Sequence, residues 1–312
     1  MSKVKKIVIT AVCIFLCAVI IVPTIVFKVR GNISGAALPQ GFADSLSQDA
    51  SPAENGTVRI MSSNLLVGYE SWGGLPVKPR AQMFKTVLET VRPDVAGLQE
   101  MCDGWYCAVK NNLPKGYKML FPVSTGVFVR MTAMIYNSET LDLVKSGQLK
   151  YENGDNPRLR RAVWAVFEHK ESGKRFAVTN THLDLLREGQ EAREMQVMQS
   201  QSDELISLVG ALGSEYNCPV FSVGDFNAME RTAETGELDA PEIYEKLAGS
   251  LTDSKYSAVQ TSFGTECSFD QPSYDHIFIY GSASAQSFTM LSDDYMSAVS
   301  DHYPVYADIV ID

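Results

Sequence analysis

The chain has 312 residues, 45% of them hydrophobic, with a formal net charge of −10 at pH 7. This is enough apolar material for one large core or two modest ones. Lys3, Lys5, Lys6, Lys28 and Arg30 are the charged residues of the first thirty, so the remainder sets 22 basic residues against 37 acidic ones. That balance argues against a surface built for tight nonspecific binding to a nucleic-acid backbone, and leaves only a local basic cluster for that role.

Residues Ile7 to Phe27 form an apolar run broken only by threonines, cysteines and Pro23. At about 1.5 Å per helical residue the run spans a bilayer core of roughly 30 Å. A secretory signal has a shorter apolar core, about 7–15 residues. Residues 1–30 therefore read as an uncleaved membrane anchor, with a cleaved signal as the alternative. Either reading puts the rest of the chain outside the cytosol, membrane-anchored or secreted. Residues 31–56 are rich in Gly, Ala, Ser, Pro, Gln and Asn without a sustained period, and read as a flexible tether. Asn32-Ile-Ser and Asn55-Gly-Thr match the glycosylation pattern, which matters only in a eukaryotic secretory pathway.

From residue 57 to residue 312 strand and helix patterns alternate with no dividing linker, which predicts one domain. Val58 to Ser62 reads as a strand ending at Asn64. Pro79 to Val91 reads as a helix, with apolar residues at Met83, Phe84, Val87, Leu88 and Val91. Asp94 to Leu98 is a buried strand ending at Gln99-Glu100. Several strands follow between Tyr117 and Val144. Arg161 to Glu168 and Arg175 to Thr181 form a hairpin around Lys170 to Gly173, and Gly189 to Leu212 is a long helix. Val220 to Val223 is a short strand that delivers Asp225. Tyr274 to Tyr280, Gln286 to Leu291 and Val305 to Ile311 are the last strands. The order suggests a two-layered β-sandwich with helices outside. Outside the apolar run the cysteines are Cys102, Cys107, Cys218 and Cys267. An even count outside the cytosol permits two disulfides, Cys102–Cys107 being the better candidate; four buried thiols are the alternative.

Six short segments place an Asn, Asp, Glu or His at or beside a strand end. They are Ser63-Asn64, Gln99-Glu100, Thr181-His182-Leu183-Asp184, Gly224-Asp225-Phe226-Asn227, Tyr274-Asp275-His276 and Ser300-Asp301-His302. Strand ends hold polar groups rigidly in one crevice. Hard oxygen donors and imidazoles, without a serine or cysteine nucleophile motif, point to metal-assisted hydrolysis. Singly each segment is weak, because Gly, Asp and Asn are also turn residues.

Together and in this order, the segments resemble the endonuclease/exonuclease/phosphatase superfamily. The match is carried by Ser63-Asn64, Pro93 to Glu100, Asn180 to Asp184, Gly224 to Asn227, Tyr274 to Ile277 and Ser300 to Pro304, and spans about residues 57 to 311. The resemblance implies a four-layer α/β/β/α sandwich of deoxyribonuclease-I-like fold. It also implies divalent-metal-dependent cleavage of a phosphodiester or phosphomonoester. The superfamily includes nucleases, sphingomyelinases and inositol-phosphate phosphatases, so the substrate stays open among nucleic acid, phospholipid headgroup and sugar phosphate.

The resemblance assigns Asn64 and Glu100 to the metal site and turns Asp301 toward it. The ion expected is Mg²⁺, with Mn²⁺ or Ca²⁺ as substitutes. Mg²⁺ keeps several waters and needs only one or two carboxylates. His302 is the general base or phosphate-orienting imidazole, since an unperturbed pKa near 6.5 suits proton transfer at neutral pH. Asp275 is the partner that fixes its tautomer. His182 is expected to bond a non-bridging phosphate oxygen, and Asp225 and Asn227 to orient the water. A second metal near Asp225, Asn227 and His182 stays open. Asn180 and an arginine of the cluster Arg158, Arg160 and Arg161 are expected on the substrate phosphate; Arg161 is preferred, though spacing does not separate it from Arg160. His169 reads as a turn residue, and His276 as structural, because alternation turns it away from Asp275. Trp72, and Trp105 with Tyr106, are candidates for lining the substrate mouth or for ordinary packing. The competing class is a catalytically silent binding domain on the same fold, against which the full set of site residues argues. The chain is expected to act as a monomer.

Overall fold

The structure, a computed structural model, describes residues 32–50, 53, 56–67, 75–101, 104–120, 132–154 and 160–312. The expected anchor, residues 1–30, lies outside them. Among the described residues no helix is long and apolar enough to cross a membrane.

The strands in chain order are β1 (Val58–Asn64), β2 (Val95–Gln99), β3 (Tyr117–Leu120), β4 (Ala133–Asn137), β5 (Leu141–Lys150), β6 (Arg161–His169), β7 (Arg175–His182), β8 (Val220–Asp225), β9 (Thr252–Asp253), β10 (Gln260–Phe263), β11 (Asp275–Tyr280), β12 (Ala283–Met290) and β13 (Val305–Ile311). They form two mixed sheets, of order β10-β12-β13-β1-β2-β4-β3 and β5-β6-β7-β8-β11-β9. β1 runs parallel to β2, and β7 parallel to β8.

The sheets face each other across an apolar layer that includes Ile60, Val95, Val178, Phe221, Val223 and Ile277. Alternation along β6 sends Val163, Ala165 and Phe167 into this layer and Ala162 and Val166 to the outer face. Helix Val77–Val91 covers the outer face of the first sheet with Ala81, Phe84, Leu88 and Val91. Its chain reverses at Arg92, which is left-handed at φ 52°, and Pro93 cannot continue the helix. Helix Glu191–Tyr216 covers the second sheet with Met198, Leu205, Val209 and Leu212. The arrangement is the α/β/β/α order that the motifs imply.

Part of the segment expected to be a flexible tether is ordered and packed. Residues Phe42–Asp49 form a helix, and Ile33, Phe42 and Leu46 are buried in the layer under helix Val77–Val91. Phe42 meets Tyr295 edge-on with centroids 5.5 Å apart. The apolar pair at i and i+4 is what docks the helix; its polar neighbours dilute that pair in any reading by composition. Cys218 and Cys267 are free thiols in different core layers, so no bridge joins them. Cys102 lies outside the described residues.

Gly97 of β2 marks a close approach of the two sheets. A Cβ there would stand 2.5 Å from Val223 Cγ2 and 2.7 Å from the Asn180 side chain. Asn180 spans the same gap. Its Nδ2 donates to the carbonyls of Leu98 (3.0 Å) and Ala133 (2.5 Å), and its Oδ1 accepts from Gln99 Nε2 (2.7 Å). The expectation that Asn180 touches substrate phosphate is therefore corrected. The residue is fully buried and its amide is used up in joining the sheets.

Candidate active site

Each sheet brings half of one crevice. From the first come Asn64 at the end of β1, Glu100 just after β2, and Asp301 and His302 in the turn before β13. From the second come His182 at the end of β7, Asp225 at the end of β8, Asn227 beyond it, and Asp275 at the start of β11. Parallel pairing sets His182 beside Asp225, and antiparallel pairing sets Asp275 on its other side. Gly224 makes this register possible. At φ 154° it packs so close that a Cβ would lie 2.2 Å from the Thr181 carbonyl oxygen.

Asp225 Oδ2 is the point of convergence. Asn64 Nδ2 donates to it at 2.9 Å, His182 Nε2 stands 3.3 Å away and His302 Nε2 3.8 Å away. The other oxygen accepts the Asn227 N–H at 2.9 Å, while Asn227 Nδ2 donates to the Leu183 carbonyl. Burial, opposed by the charge of His302 and reinforced by that of Asp275, raises the Asp225 carboxyl above the usual carboxylate range.

The two imidazoles beside Asp225 differ in state. Burial first, then the charges of Arg160 and His302, push His182 well below its ordinary value, so it is neutral; its buried Nδ1 meets no protein partner. His302 donates from Nδ1 to Asp275 Oδ2 at 2.6 Å. Burial opposes its charge, but Asp275, Asp225 and Asp301 prevail and push it up to about 10. This lies above the ordinary value expected from the sequence and favours, of the two roles left open for His302, that of a charged imidazole orienting a phosphate oxygen.

Glu100 Oε2 accepts the Val67 N–H at 2.7 Å, and Oε1 stands 3.5 Å from Asn64 Nδ2. Asn64 Oδ1 is turned back to the Leu66 N–H at 3.0 Å. Its amide nitrogen thus faces two carboxylates, and its oxygen, with one lone pair on the Leu66 N–H, keeps a second for the metal-site role that the resemblance implies. Asp301 is exposed and accepts from Ser300 Oγ. Burial, and after it the charges of Asp225 and Asp301 acting against the Val67 bond, raises the Glu100 carboxyl. Hard oxygen donors with an excess of carboxylates are what a divalent cation of the Mg²⁺ type relieves, so the residues fit one. Leu66 (φ 52°), Glu100 (φ 55°) and Asn227 (φ 48°) are all left-handed. Non-glycine residues there cost about 1–3 kcal/mol each, and such strain concentrates at functional sites.

Arg161 is buried at the start of β6 and bonds Gln148 Oε1 at 2.9 Å. Arg160 pairs with Asp184 Oδ1 at 3.2 Å, and it is the charge of Arg160 that acts on His182. Arg158 and Trp72 lie outside the described residues. Trp105 does not line a mouth: it is fully buried and donates to the Leu66 carbonyl at 2.8 Å. His169 bonds Ser172 in its turn.

His276 points away from the crevice, as alternation predicts. Its Nδ1 bonds Asp253 Oδ2 at 3.0 Å and its Nε2 the Ala228 carbonyl at 3.1 Å. Burial opposes its charge, yet Asp253 and Glu230 push it up to about 9. Glu230, Asp253 and His276 are the one group of three His, Cys, Asp or Glu residues, among the described ones, whose donor atoms lie within 4.8 Å of one another. Lys255 Nζ already sits 2.8 Å from Glu230 Oε1. Lys255 and His276, with its raised pKa, face the two carboxylates, so the group is a buried charge cluster whose donor atoms are already engaged within the protein. Sequence reasoning missed Glu230 and Lys255, because buried charges are written in the same letters as solvated ones.

No family model matches the chain, and no curated protein does. Solved structures do. An endonuclease/exonuclease/phosphatase family protein from Bacteroides thetaiotaomicron is 22% identical over 84% of this chain and 97% of its own, with a TM-score of 0.66. A mannosyl-6-phosphatase from the same organism is 21% identical over 81% and 99%, with a TM-score of 0.65. The catalytic domain of human Nocturnin, with a bound sulfate anion, is 20% identical over 84% and 97%, with a TM-score of 0.62. Two mixed sheets, helices on both outer faces and a crevice shared by the sheet ends make this the endonuclease/exonuclease/phosphatase fold, as the motifs imply.

Proposed function

We propose that the chain is a divalent-metal-dependent hydrolase of phosphate esters, acting by in-line attack of water. The observation that carries this is the convergence of Asn64, His182 and His302 on Asp225 Oδ2, with Glu100 beside the same Asn64 amide. Glu100, with Asp301 near it, would hold a divalent ion, which would supply charge neutralisation on the phosphate and leaving oxygens.

The protein's own groups do the rest. The His302 imidazolium, locked by Asp275, donates to a non-bridging oxygen. Neutral His182 and the Asn227 amide border the same position and stabilise charge that develops there. Asp225, raised by burial, is a stronger base than a solvated carboxylate and accepts the proton of the attacking water. Arg160 or Arg161 supplies a further phosphate contact, since the guanidinium fork matches phosphate oxygens.

A phosphodiester is the preferred substrate. The acid excess weighs against a high-affinity nuclease, and the likeness to a mannosyl-6-phosphatase keeps sugar phosphates in the set. The apolar run Ile7 to Phe27 supports a domain held outside the cytosol at a membrane. The test is a screen of the purified domain against plasmid DNA, RNA, sphingomyelin, phosphoinositides, sugar phosphates and bis-nitrophenyl phosphate, with and without chelator. Hydrolysis that survives chelation, or none of any substrate, overturns the reading.

A further inference from the structure

We propose that Arg80 is a positioning residue for the Glu100 carboxylate and the Asp301–His302 turn, acting through backbone carbonyls. The proposal rests on the phosphoesterase reading for its consequence, and on geometry for its existence. Arg80 lies on helix Val77–Val91 and has no solvent exposure. Its Nε donates to the Val299 carbonyl at 2.7 Å, and its Nη2 donates to the carbonyls of Leu65 and Leu66, the latter at 3.2 Å. One planar fork thus joins the turn after Asn64 to the turn before Asp301.

The effect reaches the site through three successive residues. Leu66 is left-handed, a conformation a leucine keeps only where its surroundings enforce it. Two buried donors converge on its carbonyl, Arg80 Nη2 and Trp105 Nε1. That fixes the peptide plane between Leu66 and Val67, and the Val67 N–H on that plane is the donor to Glu100 Oε2. The Leu66 N–H holds Asn64 Oδ1, and the Asn64 amide faces both Glu100 and Asp225. The Arg80 guanidinium also lies over the Trp105 ring at 5.1 Å; burial disfavours its charge, and Asp301 and Glu100 offset only part of that. Lysine carries its three donors on one nitrogen and lacks the separated, planar Nε and Nη2 that reach the two turns here, so Arg80→Lys should hold them less well.

The experiment compares wild type with Arg80→Lys and Trp105→Phe. Trp105→Phe keeps the ring in the core and deletes only the Nε1 donor. Two readouts are taken: amide exchange at Val67 in metal-free protein, and Mn²⁺ affinity by calorimetry. Val67 exchange should quicken about tenfold or more while amides of β7 and β8 hold their rates, and Mn²⁺ affinity should fall about tenfold, the usual loss when an outer-shell partner goes. Unchanged Val67 protection in both folded variants, or a uniform rise at every amide, overturns the proposal, because the latter reports lost stability alone. If Arg80→Lys does not fold, Trp105→Phe decides by the same criteria. Wild type that binds no Mn²⁺ would sink the metal reading, and Val67 exchange would still judge the clamp.

Discussion

His302 Nδ1 and Asp275 Oδ2 stand 2.6 Å apart, and this bond crosses from the turn before β13 to the first residue of β11. It ties one sheet to the other and fixes the charge state of the imidazole. His302→Ala should lower kcat by about 10²–10³, the range for losing one donor to a charge-bearing oxygen. Asp275→Asn should act on the same interaction, so the double variant should lose much less than the product of the single losses. A double-mutant cycle on one substrate, with folding checked by circular dichroism, measures this. Fully multiplicative losses would refute the pairing.

Glu100 is the carboxylate that the Val67 N–H orients for a cation. Glu100→Gln keeps its shape and removes its charge. Turnover should fall by about two orders of magnitude or more, the scale of a lost electrostatic group, and Mn²⁺ affinity should fall with it. Retained Mn²⁺ affinity in Glu100→Gln would place the metal elsewhere.

The His276 cluster predicts a pH dependence of stability. Its folded pKa, about 9, lies above its ordinary 6.5. A raised value stabilises fully below pH 6.5, and that stabilisation is lost as pH rises through about 9, on the order of 3 kcal/mol in total. Denaturant midpoints should therefore fall between pH 6.5 and 9. His276→Asn should be less stable throughout and should lack the part of the slope that comes from this imidazole. An identical slope in both proteins would show that another group is responsible.

Two glycines should resist substitution for different reasons. Gly97→Ala drives a methyl into Val223 and Asn180, where side chains can give a little, and should cost about 1–3 kcal/mol. Gly224→Ala meets a backbone oxygen at 2.2 Å and a φ that alanine rarely adopts, so it should cost more than Gly97→Ala. Urea unfolding orders the two; the reverse order would mean that the backbone at Gly224 yields more easily than the packing between the sheets at Gly97.

Truncation should depend sharply on where it falls. Removing residues 32–50 strips Ile33, Phe42 and Leu46 from the core. Phe42→Ala alone should cost about 3–5 kcal/mol. Thermal melts of chains starting at residue 32 and at residue 51 should differ by many degrees; equal melting would show that the helix Phe42–Asp49 contributes nothing.

The sequence was legible where local pattern and chemistry coincide. Asn64, Glu100, His182, Asp225, Asp275 and His302 each end, open or adjoin a strand, so a motif at a strand end located them and the structure brings them together. His276 was read correctly because period-two alternation is local. What failed depended on contacts distant in sequence. Asn180 looked like a site residue from its place beside His182, but Leu98 and Ala133 of the other sheet claim its amide. The charge state of His302 follows from three carboxylates gathered from separate segments. The sequence leaves Trp105 open between a substrate mouth and ordinary packing, and packing is what its burial shows; it does not single out Arg80, because a buried arginine is written in the same letter as a solvated one.

Neither sheet holds a complete set of site residues. Asn64, Glu100, Asp301 and His302 arrive with one, and His182, Asp225, Asn227 and Asp275 with the other, across the gap that Gly97 and Asn180 close. A partly folded species with only one sheet formed is therefore inert, however native that sheet is. Recovery of activity during refolding reports the docking of the two halves, and it should trail the appearance of β-structure and never precede it.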